Sequence, residues 1–311
     1  MLPDSADAFG EQVARHQNEL LVHCYRMLGT IDEAEDAVQD TLARAWQGRQ
    51  TFRRAISFRS WLYRIATNVC LNAIELRKRD PVDERHVIGP SPDNVLSGIA
   101  PTETGPEARF DAHESVSLAF LTVLQLLPPR QRAVLLLRDV LVFRAAEVAA
   151  LLDMSVPAVN SAHQRARATL RRNYNLSDRS RATMPARQPS TRNLLERYVR
   201  AWEAADVAGL MALLHDDAVL TMPPQPTVVG ARPIADFLAE SIFTIAPMRL
   251  FETHANGSPA FAAYFQEPTG IRLSLFALLV VADDGHQVVQ IHAFADPRVL
   301  ARFDLATELA G

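Results

Sequence analysis

The hydrophobic period of this chain changes character near residue 190, so no single layer of secondary structure accommodates the whole sequence. From Ala8 to Arg79, and again from Leu118 to Arg172, apolar residues recur at helical spacing with no strand-like alternation competing. A Pro/Ser/Arg connector, Ser177 to Thr191, leads to two short helical stretches. These are followed by β-rich runs at Phe261 to Gln266, Leu273 to Ala282 and Gln287 to Phe294. Between the helical stretches, residues 80–112 hold five prolines, three glycines and an acidic excess, the composition of an extended, flexible linker. The expected division is 8–80, 81–113, 114–175, 176–190 and 191–311.

The longest unbroken apolar run, Leu275 to Ala282, is far shorter than the roughly 20 residues of a membrane span, and the N-terminus is acidic. A soluble, cytoplasmic protein without membrane contact is expected. Cys24 and Cys70 are the only cysteines, too few for a disulfide framework and without a zinc-type spacing, so neither metal nor cofactor is indicated. The net charge of −4 conceals a partition: 0 over 1–80, −5 over 81–129, +5 over 130–172, +2 over 173–189 and −6 over 190–311. One short basic segment beside an acidic C-terminal third suits a nucleic-acid reader joined to a domain that does not touch nucleic acid.

In the first module, Thr30 and Glu33 have capping-box spacing, and Ala34, Ala37, Val38, Thr41, Leu42, Ala45 and Trp46 form one helix stripe. The opposite face carries Glu33, Glu35, Asp36, Gln39, Asp40 and Arg44, either a solvated acidic face or a dock for a basic helix. Further on, Ser57 is placed to cap a helix whose expected buried stripe is Leu62, Ile65, Ala66, Val69, Ala73 and Leu76. Arg64, Asn68 and Asn72 share another face, and Arg77, Lys78 and Arg79 close the helix. Amides reach base edges and guanidinium groups reach phosphates, although terminal basic residues also suit a helix C-terminus. Phe52, Phe58 and Trp61 surround a short basic loop, as core or as a platform for an extruded base.

In the second module, Arg144 to Leu152, the turn Asp153-Met154-Ser155 and the helix from Val156 form a helix-turn-helix pattern. Ala149, Asp153 and Val159 stand at the diagnostic positions. Ser155 caps the second helix, with Pro157 in its first turn. Val159, Ala162, Ala166 and Leu170 face inward, leaving Ala158, Ser161, Gln164, Arg165 and Arg167 for a major groove and Arg171 and Arg172 for the backbone. A bundle with a solvated arginine face is the plainer reading of the same pattern.

Three segments in this order, DEAEDAVQDTLARAW, SFRSWLYRIATNVCLNAIELRKR and LPPRQRAVLLLRDVLVFRAAEVAALLDMSVPAVNSAHQRARATLRR, closely resemble the extracytoplasmic-function (ECF) sigma factors of the sigma-70 family over residues 8–173. The resemblance implies two all-α modules, a region two bundle and a region four helix-turn-helix, that bind core RNA polymerase and direct it to promoters. It implies that Glu35, Asp36, Gln39, Asp40, Leu42 and Trp46 dock on the β′ clamp helices. It implies that Phe58, Arg59, Trp61, Arg64, Asn68, Asn72, Arg77, Lys78 and Arg79 read the minus-ten element. Arg144, Ser155, Ala158, Ser161, Gln164, Arg165, Arg167, Arg171 and Arg172 would serve the minus-35 element, with region four also touching the β flap. The linker would cross the polymerase channel, with Asp83, Glu84, Asp93, Glu103 and Glu107 keeping it off DNA.

The C-terminal unit, through LLERYVRAWEAADVAGLMALLHDDAVLTMPP and VVGARPIADFL, is similar to SnoaL-like domains. That similarity implies an α+β, NTF2-like cone with an apolar pocket for a small-molecule ligand and a modulatory role. His254, His292, Asp217 and Asp296 are the residues that could supply acid or base chemistry, with His254, His292 and Asp296 assigned to the pocket. Each has a structural alternative: Asp217 and Asp296 shape turns, and a lone strand histidine is commonly structural. Residues 283–286 read as a hairpin turn, and Asp296 to Leu300 as a tail folding back on the helical modules. The leading expectation is a non-enzymatic promoter-recognition subunit. Its rivals are an enzyme or ligand sensor fused to a DNA-binding regulator, and a helix-turn-helix repressor that leaves the pattern from Asp36 to Arg79 unexplained.

Overall fold

The computed structural model describes residues 6–52, 57–77, 88–96, 116–174, 189–268 and 270–311. They form two compact units, one of residues 1–90 and 94–174, the other of 91–93 and 175–311. Lys78 and Arg79, most of both linkers and the acidic positions Asp83, Glu84, Glu103 and Glu107 lie outside the described residues.

The first unit begins with α1 (Ala6–Leu28), α2 (Ile31–Gly48) and α3 (Phe58–Arg77). Thr30 precedes α2 as expected, but its hydroxyl donates to Glu33 Oε2 (2.7 Å) and caps no backbone N–H. Ser57 caps α3 by accepting from Ser60 N at 3.0 Å. The expected stripe of α3 needs correction. Leu62, Ala66 and Val69 are buried but Leu76 is 65% exposed, and Trp61, Tyr63, Thr67, Cys70 and Ile74 are buried as well. The helix packs against α1 and α2 on one side and the second helical module on the other, so two faces are covered where one stripe was expected. Cys24 and Cys70 are both free and buried.

A short α4 (Asp93–Leu96) precedes the second module, which comprises α5 (Leu118–Gln125), α6 (Pro129–Leu135) with a π turn at Leu136–Val140, α7 (Ala145–Leu151) and α8 (Val156–Tyr174). Phe120, Leu121, Leu124, Val134, Leu137, Val148 and Val159 form its interior. The linker reading is corrected over its described part. Gly89 N donates to Gly29 O (3.0 Å) and Tyr25 Oη to Gly89 O (2.7 Å). Within the second unit, Ser91 exchanges hydrogen bonds with Asn256, and Asp93 accepts from Gly257 N at 2.7 Å.

The second unit adds α9 (Pro189–Glu203), α10 (Val207–Leu213), β1 (Leu214–Thr221), β2 (Val228–Val229), α11 (Ala231–Phe237), β3 (Met248–Ala255), β4 (Ser258–Gln266), β5 (Arg272–Asp283), β6 (Val288–Phe294), α12 (Pro297–Leu300) and β7 (Glu308–Ala310). The mixed sheet runs β2-β1-β6-β5-β4-β3, with β7 added to β5 and β1 parallel to β6. Register shifts in the β1–β6, β4–β5 and β5–β6 pairs bend it. One face packs Leu220, Phe261, Leu279, Ile291 and Ala293 against Tyr198, Trp202, Leu210, Ile234 and Leu238 of the helices. Thr191 Oγ1 reaches the buried Asp283 (3.2 Å), pinning the start of α9 to the β5–β6 turn. That turn is the expected one: Asp284 Oδ1 accepts from His286 N and Gln287 N, with Gly285 at φ +87°.

Candidate nucleic-acid interface

On α2 the structure leaves Asp36, Gln39 and Asp40 exposed, with Glu35 and Leu42 half-buried. Trp46 is exposed, packed edge-on against Phe9 (5.5 Å) and under the Arg49 guanidinium (3.8 Å to the ring centroid). Asp40 pairs with Arg44 at 3.2 Å, one helical turn on. The surface is a shallow acidic strip ending in an aromatic ring.

On α3 the candidates separate. Arg64 and Asn68 are half-buried and Asn72 is exposed. Arg59 is corrected: its Nε donates to Glu19 Oε2 (2.9 Å), its guanidinium stacks on Tyr63 (4.9 Å) and Phe143 (5.4 Å), and its buried Nη2 has no hydrogen-bond partner, so the side chain is held within the protein. Trp61 is also corrected, being buried in an aromatic cluster with Phe52 (5.2 Å) and Phe58 (5.7 Å). Phe58 is half-buried in the same cluster and also meets Phe9 (6.0 Å). Arg77 is tied to Glu33. Beneath this helix His23 is enclosed, with Nε2 2.9 Å from Thr67 Oγ1, and burial lowers its pKa to about 3, with Arg26 and Arg59 adding to the effect.

The helix-turn-helix takes the expected form. Asp153 adopts a left-handed φ of +51°, which a short polar side chain tolerates. Ser155 Oγ accepts from Ala158 N (3.3 Å), and Val159, Ala162, Ala166 and Leu170 are buried. Arg144, Ser155, Ser161, Gln164, Arg165, Arg171 and Arg172 are exposed, and Ala158 is half-buried. Arg144 N donates to Glu147 at 2.7 Å. Arg167 departs from expectation, because it forks onto Asp139 at 2.8 and 2.7 Å. Burial raises the Asp139 carboxyl, but hydrogen bonds from His163 and Arg167 outweigh it and hold the carboxyl below its usual range.

In the second unit a narrow apolar cavity, with room for about one water molecule, is lined by Trp202, Leu220, Met222, Phe237, Leu238, Ile242, Met248, Phe276, Leu279 and Ala293. His254, His292 and Asp296 are not among these residues. His254 is exposed near the end of β3. His292 lies between Ile291 and Ala293 of the core, so strand alternation directs it to the opposite sheet face. There its Nδ1 is 2.7 Å from Thr221 Oγ1, and burial lowers its pKa to about 4. Asp296 caps α12 through Arg298 N (2.9 Å), and hydrogen bonds from Arg298 hold its pKa down. Asp217 is exposed, and its N–H donates to His215 Nδ1 at 3.1 Å. The C-terminal tail packs on its own sheet, where Leu309 pairs with Leu273 and Tyr264 Oη donates to Ala306 O. The sequence reading missed the Met and Trp side chains of the cavity, and it missed Arg132, a buried cation beside the apolar stretch Ala133–Leu137.

Residues 12–80 match the family model for sigma-70 region 2, residues 117–170 that for sigma-70 region 4, and residues 195–291 that for the SnoaL-like domain. The ECF RNA polymerase sigma factor SigG of Mycobacterium tuberculosis is 38% identical to this chain, over 97% of it and 85% of the relative. The chain belongs to the ECF sigma-factor family. As an ECF sigma factor it serves transcription initiation: it binds core RNA polymerase and directs it to promoters. SigW of Bacillus subtilis is 32% identical over 53% of this sigma factor and 88% of its own length. The crystal structure of the Mycobacterium tuberculosis sigma factor SigJ shares the fold, with a TM-score of 0.64 at 22% identity, covering 96% of this chain and 99% of that one. The first helical module is thus region two, the second is region four, and the second unit carries the SnoaL-like domain. Among the described residues, no helix is long and apolar enough to cross a membrane.

Proposed function

We propose that this ECF sigma factor docks on the β′ clamp helices of core polymerase through Asp36, Gln39, Asp40 and Trp46, with Glu35 and Leu42 at the margin. Exposure of the acidic side chains supports this reading, since a basic partner helix would need them within reach of solvent. Arg64, Asn68 and Asn72 contact the minus-ten element. Region four reads the minus-35 element through Ser161, Gln164 and Arg165, holds the DNA backbone with Arg171 and Arg172, and meets the β flap. The observation that carries the reading is the exposed polar face of α8, opposite buried Val159, Ala162 and Ala166. Run-off transcription with core polymerase tests it: Arg165→Ala should lower the promoter-specific transcript, and an unchanged transcript overturns the assignment.

The protein acts in the cytoplasm beside polymerase and performs no chemistry of its own. The SnoaL-like domain modulates initiation, and its narrow apolar cavity widens to take a small apolar molecule. The lining supports this: it is apolar throughout. Thermal-shift measurements with small aromatic and aliphatic hydrocarbons test the ligand class. Stabilisation lost in Trp202→Phe supports it, whereas no stabilisation by any of them rejects it.

A further inference from the structure

The recognition helix opens on a turn that its own packing does not explain. Val156, the first residue of α8, is a large apolar side chain left 40% exposed, and Pro157 beside it is exposed as well. Asn160, also exposed, stands four residues after Val156 and therefore one helical turn above it on the same face. The inward positions of the helix, Val159, Ala162 and Ala166, are buried, so these three side chains add nothing to the interior of region four. A solvated first turn is ordinarily stabilised by carboxylates, which the helix dipole favours. This one carries no acidic residue. Its makeup suits a polyanion that a carboxylate would repel.

The start of α8 is also poorly equipped to hold a phosphate through its backbone. Pro157 has no N–H, Ala158 N donates to Ser155 Oγ (3.3 Å), and Val159 N donates to Ser155 O (3.0 Å). The donors that a helix start normally offers to an anion are removed or taken. What this turn presents to DNA is a branched apolar side chain, a proline ring and one amide. Base edges in the major groove offer matching chemistry: the C5-methyl group of thymine takes apolar contacts, and N6 and N7 of adenine pair with a side-chain amide. In a helix-turn-helix the first residues of the recognition helix are the ones that reach base edges. One helical turn advances about 5.4 Å, less than two base-pair steps of about 3.4 Å, so Val156 and Asn160 meet the same pair or adjacent pairs.

We propose that the first turn of α8 selects A·T pairs in the minus-35 element, with Val156 packing on a thymine methyl group, Pro157 extending that apolar ledge and Asn160 pairing with adenine. The inference rests on the assignment of α8 as the minus-35 reader, and it names the bases that the start of the helix accepts.

The test uses holoenzyme assembled from the full chain and core polymerase to select duplexes from a promoter library randomised over the minus-35 window. In a selected duplex, deoxyuridine in place of thymidine deletes one methyl group while leaving the protein untouched. At one thymine it should weaken wild-type holoenzyme binding about fourfold, and with Val156→Ala it should have no effect. Replacing adenine by 7-deazaadenine removes the N7 acceptor. At one adenine it should weaken wild-type binding about fivefold and leave Asn160→Ala unaffected. Both substitutions put the best helix former at an exposed position, so region four stays folded. An effect of the same size in wild type and variant rejects the contact of that residue, and a selected element without A·T pairs rejects both. Enrichment of no sequence in the window overturns the assignment of α8 itself. Enrichment that Arg165→Ala relaxes, with no response to deoxyuridine or 7-deazaadenine, keeps that assignment and overturns the A·T reading alone.

Discussion

Arg167 and Asp139 form a two-pronged ion pair inside region four, with Nε and Nη2 at 2.8 and 2.7 Å from the carboxylate oxygens. His163 Nε2 approaches the same carboxylate at 2.9 Å. The pair links the π turn after α6 to the recognition helix, so Arg167 positions that helix from behind.

Arg167→Ala should therefore act on stability. Losing a charged hydrogen-bond pair from a largely buried carboxylate costs about 1.5 to 3 kcal/mol, measurable by urea denaturation. The folded Asp139 carboxyl sits below its unfolded value, so its contribution is present above about pH 4 and fades as pH falls through the lower folded value. A variant with native stability and weaker promoter binding would return Arg167 to the DNA surface.

Arg165 and Arg171 should behave differently from Arg167 and from each other. Arg165→Ala should cost about 1 to 3 kcal/mol at one promoter position and relax specificity there. Arg171→Ala should weaken binding uniformly across sequences and reduce the salt slope by about 1. Holoenzyme binding to promoter variants over a salt series distinguishes them; an equal loss at every sequence would make Arg165 a phosphate contact.

Asp153 holds a φ of +51°. Asp153→Gly should leave thermal stability nearly unchanged, because glycine takes this conformation freely, whereas Asp153→Val should cost about 1 to 2 kcal/mol. Equal melting temperatures for the two variants would mean that the turn relaxes to negative φ.

His292 is buried in the neutral form, with a folded pKa of about 4 against an unfolded value near 6.5. The unfolded chain takes up the proton first, so the contribution is complete above about pH 6.5 and falls by a few kcal/mol toward pH 4. His292→Gln should flatten this part of the pH–stability curve of the SnoaL-like domain. Retention of the wild-type slope would show that another group sets it.

Much of this was legible in the sequence because its signals are local. Ala149, Asp153 and Val159 fix the helix-turn-helix within eleven residues, and Ser57 caps α3 as read. The misassigned arginines were recruited by distant partners: Arg59 by Glu19, 40 residues earlier, and Arg167 by Asp139, 28 residues earlier. No periodicity carries that information. Leu76 was expected inside because a single stripe was drawn along a helix that is covered on two faces. The face of His292 did carry a signal, since the apolar parity of Ile291 and Ala293 places it opposite the core.

The short β7 has a consequence for solubility. Where β6 no longer reaches β5, Leu309 pairs with Leu273 and Gly311 N donates to Ile271 O at 2.8 Å. These bonds cover the unpaired backbone at the start of β5, whose continuation from Leu275 to Ala282 is wholly apolar. Without the last few residues, that strand would present a bare, sticky rim to its neighbours, the template from which edge-to-edge association starts. The β7 tripeptide thus works as a selvedge, keeping the sheet from unravelling into aggregates.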